Sequence, residues 1–295
     1  MEFKHKPDPA IYRTDVEGLP PGTRESVTVV ADNAELNRRI AREFGDALAE
    51  KQARKEMLTI ICPVGQVNYA LFAQEIEQRG LDCRYLRTIN MDEYLDDDGQ
   101  LIDPDHPLSF QGFMQECFFS QLPRDNRPLP ENIVFPDPQS PQKVTELIDA
   151  IGGADLCWAG FGITGHVAFN DPPHMVGEPE DLESFRNCKT RVLAGSAMST
   201  AQMAIGGTHG NLDLVPETCV TLGMYELLKT RHYHMIFTRN WHQGLWRRAL
   251  LGPVTSEFPG SLLQEHPNTS VTLTELAAKR PLVNKLQDTG EEAAA

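Results

Sequence analysis

A histidine and an aspartate sharing one glycine-rich turn are the residues of this chain best suited to moving protons. The stretch Gly160 to Pro173 reads GFGITGHVAFNDPP and follows an apolar run, Ala154 to Ala159, that has the character of a buried strand. Its glycines, Gly165 among them, let the backbone bend sharply and come close to a ligand. A histidine such as His166 can move protons near neutral pH, and a carboxylate returned towards it by the same loop, Asp171, can set its tautomer. Thr164 precedes both in the same turn and can orient an imidazole by hydrogen bonding. A second acidic group, Asp92-Glu93 within Asn90-Met91-Asp92-Glu93-Tyr94, leaves the end of another apolar run, Arg84 to Asn90. Adjacent side chains there point in different directions, so at most one of the two carboxylates is expected to face a given ligand. That carboxylate could serve as the base on a carbon acid; a solvated turn is the plainer alternative, since acidic residues continue through Asp96, Asp97 and Asp98.

A positive stretch stands out in an otherwise acidic chain. Leu227 to Ser256 contains no Asp or Glu, and it places Arg239 and His242 where a strand gives way to a helix. Helix N-termini favour anions, so these two are candidates for an anionic ligand; a helix with a basic outer face reads equally well.

Those groups need a scaffold, and the pattern of elements supplies one. Ser26 to Ala31 is a β-branched strand. Asp32 or Asn33 caps a helix in which Leu36, Ile40, Phe44 and Leu48 recur every four residues. Strands follow at 57–62, 84–90, 132–135, 154–159, 218–222, 233–238 and 269–273, with helices ending at Arg79–Gly80 and over 109–122, 141–152 and 240–251. The alternation implies an α/β fold: a doubly wound, mostly parallel sheet with helices on both faces, with its site along one edge. Residues 1–25 read as an irregular arm, 26–284 as one domain and 285–295 as a frayed tail.

Gly160 to Gly165 also fits GxGxxG, with Glu180 and Asp181 at about the distance of a ribose-binding acid. A dinucleotide fold needs a helix beginning at those glycines. Pro172 and Pro173 and the mid-chain position oppose it, so the sheet is read as Rossmann-like but not dinucleotide-binding.

Composition narrows the partners. The 295 residues carry 42 acidic against 27 basic side chains, a formal charge of −15, which argues against nucleic acid and anionic membranes. No apolar run approaches the roughly 20 residues of a membrane helix. The polar N-terminus lacks a signal-peptide core. Six scattered cysteines without metal spacing fit reduced thiols in a cytoplasmic protein.

Taken together, NMDEY (Asn90 to Tyr94), His106-Pro107-Leu108-Ser109-Phe110 and GFGITGHVAFNDPP resemble the glucosamine-6-phosphate deaminase/isomerase family, kin of the 6-phosphogluconolactonases, over roughly residues 26–265. The resemblance implies that Asp92 moves a proton between C1 and C2 of an open-chain sugar. It implies that His166 assists ring opening, and that Asp171 holds the position of the carboxylate supporting that histidine. It implies no cofactor and no metal, a small-molecule sugar or sugar phosphate as partner, and room for a homo-oligomer. The chain also departs from the family. Thr164 stands where an aspartate is usual, and Asp171 where a glutamate is. The phosphate turn reads Pro63-Val64-Gly65-Gln66-Val67-Asn68, with valines in place of hydroxyls; Gly65, Gln66 and Glu93 remain candidates for binding the sugar. His242 aligns with a phosphate lysine. The expected function is aldose–ketose proton transfer, with ammonia released from an amino sugar phosphate such as glucosamine 6-phosphate. A sugar lactone hydrolase and a non-catalytic sugar-binding relative are the alternatives.

Overall fold

Short apolar runs alternating with capped helices build a layered structure, and the computed structural model describes residues 3–281 of it. The frayed tail expected at 285–295 lies outside the described residues. The strands are β1 (Val27–Val30), β2 (Leu58–Cys62), β3 (Leu86–Asn90), β4 (Asp92–Leu95), β5 (Ile133–Val134), β6 (Leu156–Ala159), β7 (Arg191–Ala194), β8 (Thr218–Thr221), β9 (His232–Phe237) and β10 (Thr269–Thr274). The helices are α1 (Pro21–Glu25), α2 (Asn33–Arg54), α3 (Tyr69–Arg79), α4 (Phe110–Cys117), α5 (Gln142–Ile151), α6 (Pro173–Val176), α7 (Leu182–Arg186), α8 (Ala197–Gly206), α9 (Met224–Leu228), α10 (His242–Leu251) and α11 (Glu275–Ala278).

Seven strands pair in the order β1-β10-β9-β6-β2-β3-β5, every pairing parallel. Successive residues of a strand point to opposite faces, so a sheet covered on both sides needs continuous apolar runs. Ile60 and Cys62 accordingly pack with Leu36, Ile40 and Phe44 of α2 and Phe72 and Ile76 of α3. Ile61 and Ile89 face the other layer, with Val144 and Ile148 of α5 and Trp246 of α10. Phe72 lies at the centre of the first layer, stacked on Phe44 at 4.3 Å and edge-on to Trp158 at 5.1 Å. Truncating such a ring to alanine costs about 3–5 kcal/mol. Asp32 caps α2 by accepting the Glu35 N–H at 2.8 Å, and Gly80 and Gly152 end α3 and α5 in the left-handed region.

The strand order reverses direction between β2 and β6. From β2 the chain builds outward through β3 to β5; from β6 it builds the opposite way through β9 to β10, which lies between β9 and the first strand, β1. A crevice opens at such a switch point, beyond the carboxyl ends of the strands. The loops leaving β2, β3 and β6 converge there.

Three regions differ from the sequence-based expectation. Asp92 to Leu95 is a strand rather than a loop, because it pairs antiparallel with β8 (Asp92↔Thr221, Tyr94↔Cys219). The expected strand at 218–222 therefore belongs to a second, three-stranded sheet, β4-β8-β7, and not to the main one. The arm before β1 carries two 3₁₀ turns, Pro9–Arg13 and Val16–Gly18, followed by α1; Val16 and Leu19 reach the core. No described helix is long and apolar enough to cross a membrane.

Candidate active site

The loop after β6 is tied into a fixed shape by its own backbone. The Gly162 N–H donates to the His166 carbonyl (3.1 Å), and the Gly165 N–H to that of Gly162 (2.9 Å). A Cβ on Gly162 would stand 2.0 Å from His166 Nε2, so only glycine lets the backbone pass the imidazole. Gly165 adopts φ +81°, where a Cβ would also strike the Phe258 ring at 2.2 Å. No helix starts at these glycines; the next one is α6, after Pro172, which removes the dinucleotide reading. Asn170 anchors the far end by donating to the carbonyls of Val167 (3.0 Å) and Leu222 (2.8 Å).

Within that loop a buried carboxylate organises the imidazole. Asp171, 1% exposed, lies 2.9 Å from His166 Nδ1. It also accepts the hydroxyls of Thr164 (2.6 Å) and Ser199 (2.7 and 2.9 Å) and the Ser196 N–H (3.3 Å). Burial by itself would raise its pKa. The imidazole beside it and the two hydroxyls outweigh that and hold the carboxyl well below the usual range. A carboxylate at Nδ1 assigns the ring proton to that nitrogen. Nε2 is left without a hydrogen-bond partner among the described residues, and the imidazole lines a cavity.

Asp92 lines the same cavity. It is 7% exposed and accepts no hydrogen bond among the described residues. Burial, with a smaller contribution from Glu93, pushes its pKa well above the ordinary carboxylate value. Glu93, one residue on, turns away. Its carboxylate accepts the N–H groups of Tyr94 (2.8 Å), Phe110 (3.0 Å) and Gln111 (2.6 Å) and the Ser109 hydroxyl (3.2 Å). It thus fills the N-terminus of α4, where free N–H groups and the helix dipole call for an anion. The expectation that Glu93 meets the sugar is corrected: its oxygens are taken by the helix.

The cavity encloses about 120 Å³ between the loops after β2, β3 and β6. Gln66 lines it, with its Oε1 buried and unpartnered, and a Cβ on Gly160 would strike its amide at 2.3 Å. A larger groove of about 610 Å³ adjoins it and is bordered by Gly65, Arg239 and Trp241. Val64, Phe110, Gln202 and Met203 line both spaces. Thr164 and Gly165 stand behind the imidazole and line neither.

His242 departs from expectation. It is fully buried, and its Nδ1 accepts the N–H groups of Thr238 (2.8 Å) and Arg239 (3.2 Å) while Nε2–H donates to the Phe161 carbonyl (3.2 Å). Burial lowers its pKa to about 3, so the ring is neutral and pins the end of β9 to the β6 loop. It is not available to an anion. Arg247 likewise spends its guanidinium on the carbonyls of Thr14, Gln243, Ala278 and Lys279. Of the positive stretch, Arg239 alone borders either space.

Ser199 and Ser196, at the start of α8, escaped the sequence reading. Ser196 caps the helix by accepting the Ser199 N–H (3.2 Å), and Ser199 reaches Asp171 and His166 Nδ1 (3.1 Å). Their only sequence signal is the S-x-x-S spacing of an N-cap, common in any helix.

No family model matches the chain. It is similar to glucosamine-6-phosphate deaminase of Exiguobacterium sp., 29% identical over 232 residues, 79% of this chain and 82% of that protein. Glucosamine-6-phosphate deaminase of Rhodopirellula baltica is 28% identical over 257 residues, covering 85% and 94%. Among solved structures it resembles a monomeric glucosamine-6-phosphate deaminase described as the missing link of the NagB superfamily, with a TM-score of 0.72, 21% identity and coverage of 86% and 98%. It also resembles 6-phosphogluconolactonase of Shewanella baltica, with a TM-score of 0.61, 13% identity and coverage of 84% and 97%. The chain is a homologue of the glucosamine-6-phosphate deaminases, and its α/β fold is the one found in both them and the 6-phosphogluconolactonases.

Proposed function

We propose that the chain is an aldose–ketose isomerase and deaminase acting on an open-chain amino sugar. One observation carries the reading: a buried carboxylate that no described residue donates to, Asp92, and an imidazole backed by a carboxylate, His166, line one small cavity. His166 Nε2 transfers the proton that opens the sugar ring, with Asp171, Thr164 and Ser199 fixing the ring's position. Opening exposes the C1 carbonyl, which acidifies the C2–H. Asp92 takes that proton, and the electron pair moves into a C1–C2 enol. Reprotonation at C1 leaves an iminium at C2; water adds there and ammonia departs, giving a ketose. Burial makes Asp92 a stronger base than an exposed aspartate, which suits a carbon acid. Gln66 and Gly65 border the bound sugar, and Arg239 is the cation nearest its outer end. The six described cysteines are unpaired, which accords with a cytoplasmic setting.

Ammonia release from glucosamine 6-phosphate, the substrate named for the homologues, is the first assay. Absence of turnover across phosphorylated, free and 6-O-substituted amino sugars, with the protein shown folded by its melting transition, would remove the reading. Lactone hydrolysis needs only activated water and no carbon-acid base, so undiminished activity in Asp92→Asn would favour it instead.

A further inference from the structure

The space holding Asp92 and His166, about 120 Å³, is small beside the roughly 300–1,000 Å³ of a typical ligand site. A ligand too large for it would reach into the adjoining 610 Å³ groove, with which it shares Val64, Phe110, Gln202 and Met203 as walls. The groove's chemistry therefore reports on the far end of the substrate. Phe113, Ile163, Met198, Ile205 and Trp241 border it. Among the polar atoms within reach, the Ser109 hydroxyl bonds Glu93 and the Gly112 N–H, and Gln202 Oε1 accepts the Ile163 N–H at 2.6 Å, while Gln202 Nε2 and Trp241 Nε1 remain as neutral donors. Arg239, exposed at the rim, is the single Lys or Arg among the described residues that borders either space. A phosphate dianion is best matched by several converging cations, and this lining offers one.

We infer that the substrate is an amino sugar whose end remote from C1 and C2 carries an uncharged apolar group, aryl or alkyl, seated in this groove. The inference rests on the reaction proposed above for the smaller space. An apolar group there gains by leaving water, whereas a phosphate would lose hydration for a single arginine.

The test titrates the full chain calorimetrically with 6-O-benzylglucosamine and with glucosamine 6-phosphate, and assays ammonia from each. The benzyl compound should bind at least about tenfold more tightly, a difference of about 1.4 kcal/mol, with a negative heat-capacity change. Phe113→Gln and Met198→Gln, each checked for an unchanged melting transition, should each erase most of that preference. Equal or tighter binding of the phosphate, or binding of neither compound, overturns the inference. So does a dimer that Ile205→Glu dissociates together with loss of any benzyl binding, which would assign the groove to a second copy. Benzyl preference without ammonia from either compound leaves this inference standing and sinks the deamination reading; ammonia from glucosamine 6-phosphate without benzyl preference does the reverse.

Discussion

Asp92 and Asp171 are both buried carboxylates beside one cavity, yet their surroundings push them in opposite directions. Asp171 is met by an imidazole, two hydroxyls and a backbone N–H, and stays ionised far into acid. Asp92 receives no donor among the described residues and is pushed up by burial. Two like groups driven apart in this way suit the division of labour proposed above, in which one holds a charge and the other takes up and gives back a proton. Neighbours, not residue type, set the role.

The contrast can be broken at either end. The largest effect is expected from Asp92→Asn, which should cut ammonia release by about 10³-fold or more; a variant keeping a tenth of the wild-type rate would end the base assignment. Its stability effect has a definite sign. Asp92 has a raised folded pKa, so it favours folding below the unfolded carboxylate pKa and loses that contribution as pH climbs through the folded value. Asp92→Asn should thus melt above wild type at pH 8, with the gap closing towards pH 4.

Asp171→Asn should lower turnover about 10²-fold or more and destabilise the fold by about 2–3 kcal/mol, read from urea unfolding. Here the sign reverses, since a depressed folded pKa stabilises above the unfolded value and is lost on acidification. The loss should be full at neutrality and shrink as pH falls below about 4.

The pH–rate profile sharpens the comparison without mutation. If Asp92 must be ionised to act, the acid limb of kcat/KM should lie above the ordinary carboxylate range, and a limb near 4 would reassign the base. Glu93→Gln should have the smallest catalytic effect, within a few-fold of wild type. It should still cost about 1–3 kcal/mol of stability, because α4 loses the anion its N–H groups require. A large rate loss with unchanged melting would place Glu93 at the ligand after all.

Most of the main sheet was legible because its strands are continuous apolar runs and its helices carry plain caps, as with Asp32 before α2 and Gly80 after α3. The second sheet was not. Asp92 to Leu95 is half acidic and looks like solvated loop until β8 pairs with it. Arg191 to Ala194 is short, and α8 is built from small residues with weak amphipathic contrast. At the site, residue types carried the reading of His166 and Asp171, but orientation was hidden. His242 does lie where a strand meets a helix, yet its ring turns inward because two backbone N–H groups claim Nδ1. Ser199 was invisible for the opposite reason, since a serine at a helix start is ordinary until its hydroxyl is seen on Asp171.

Helix α8 presents Ser199 inward to Asp171 and His166, and Met198, Ala201 and Ile205 outward to the groove. The rod that borders the groove is also the rod that steadies the histidine. Tilting it to widen the groove would drag a hydroxyl off its carboxylate, so under the proposed reaction a change in ligand choice would bring a change in rate with it.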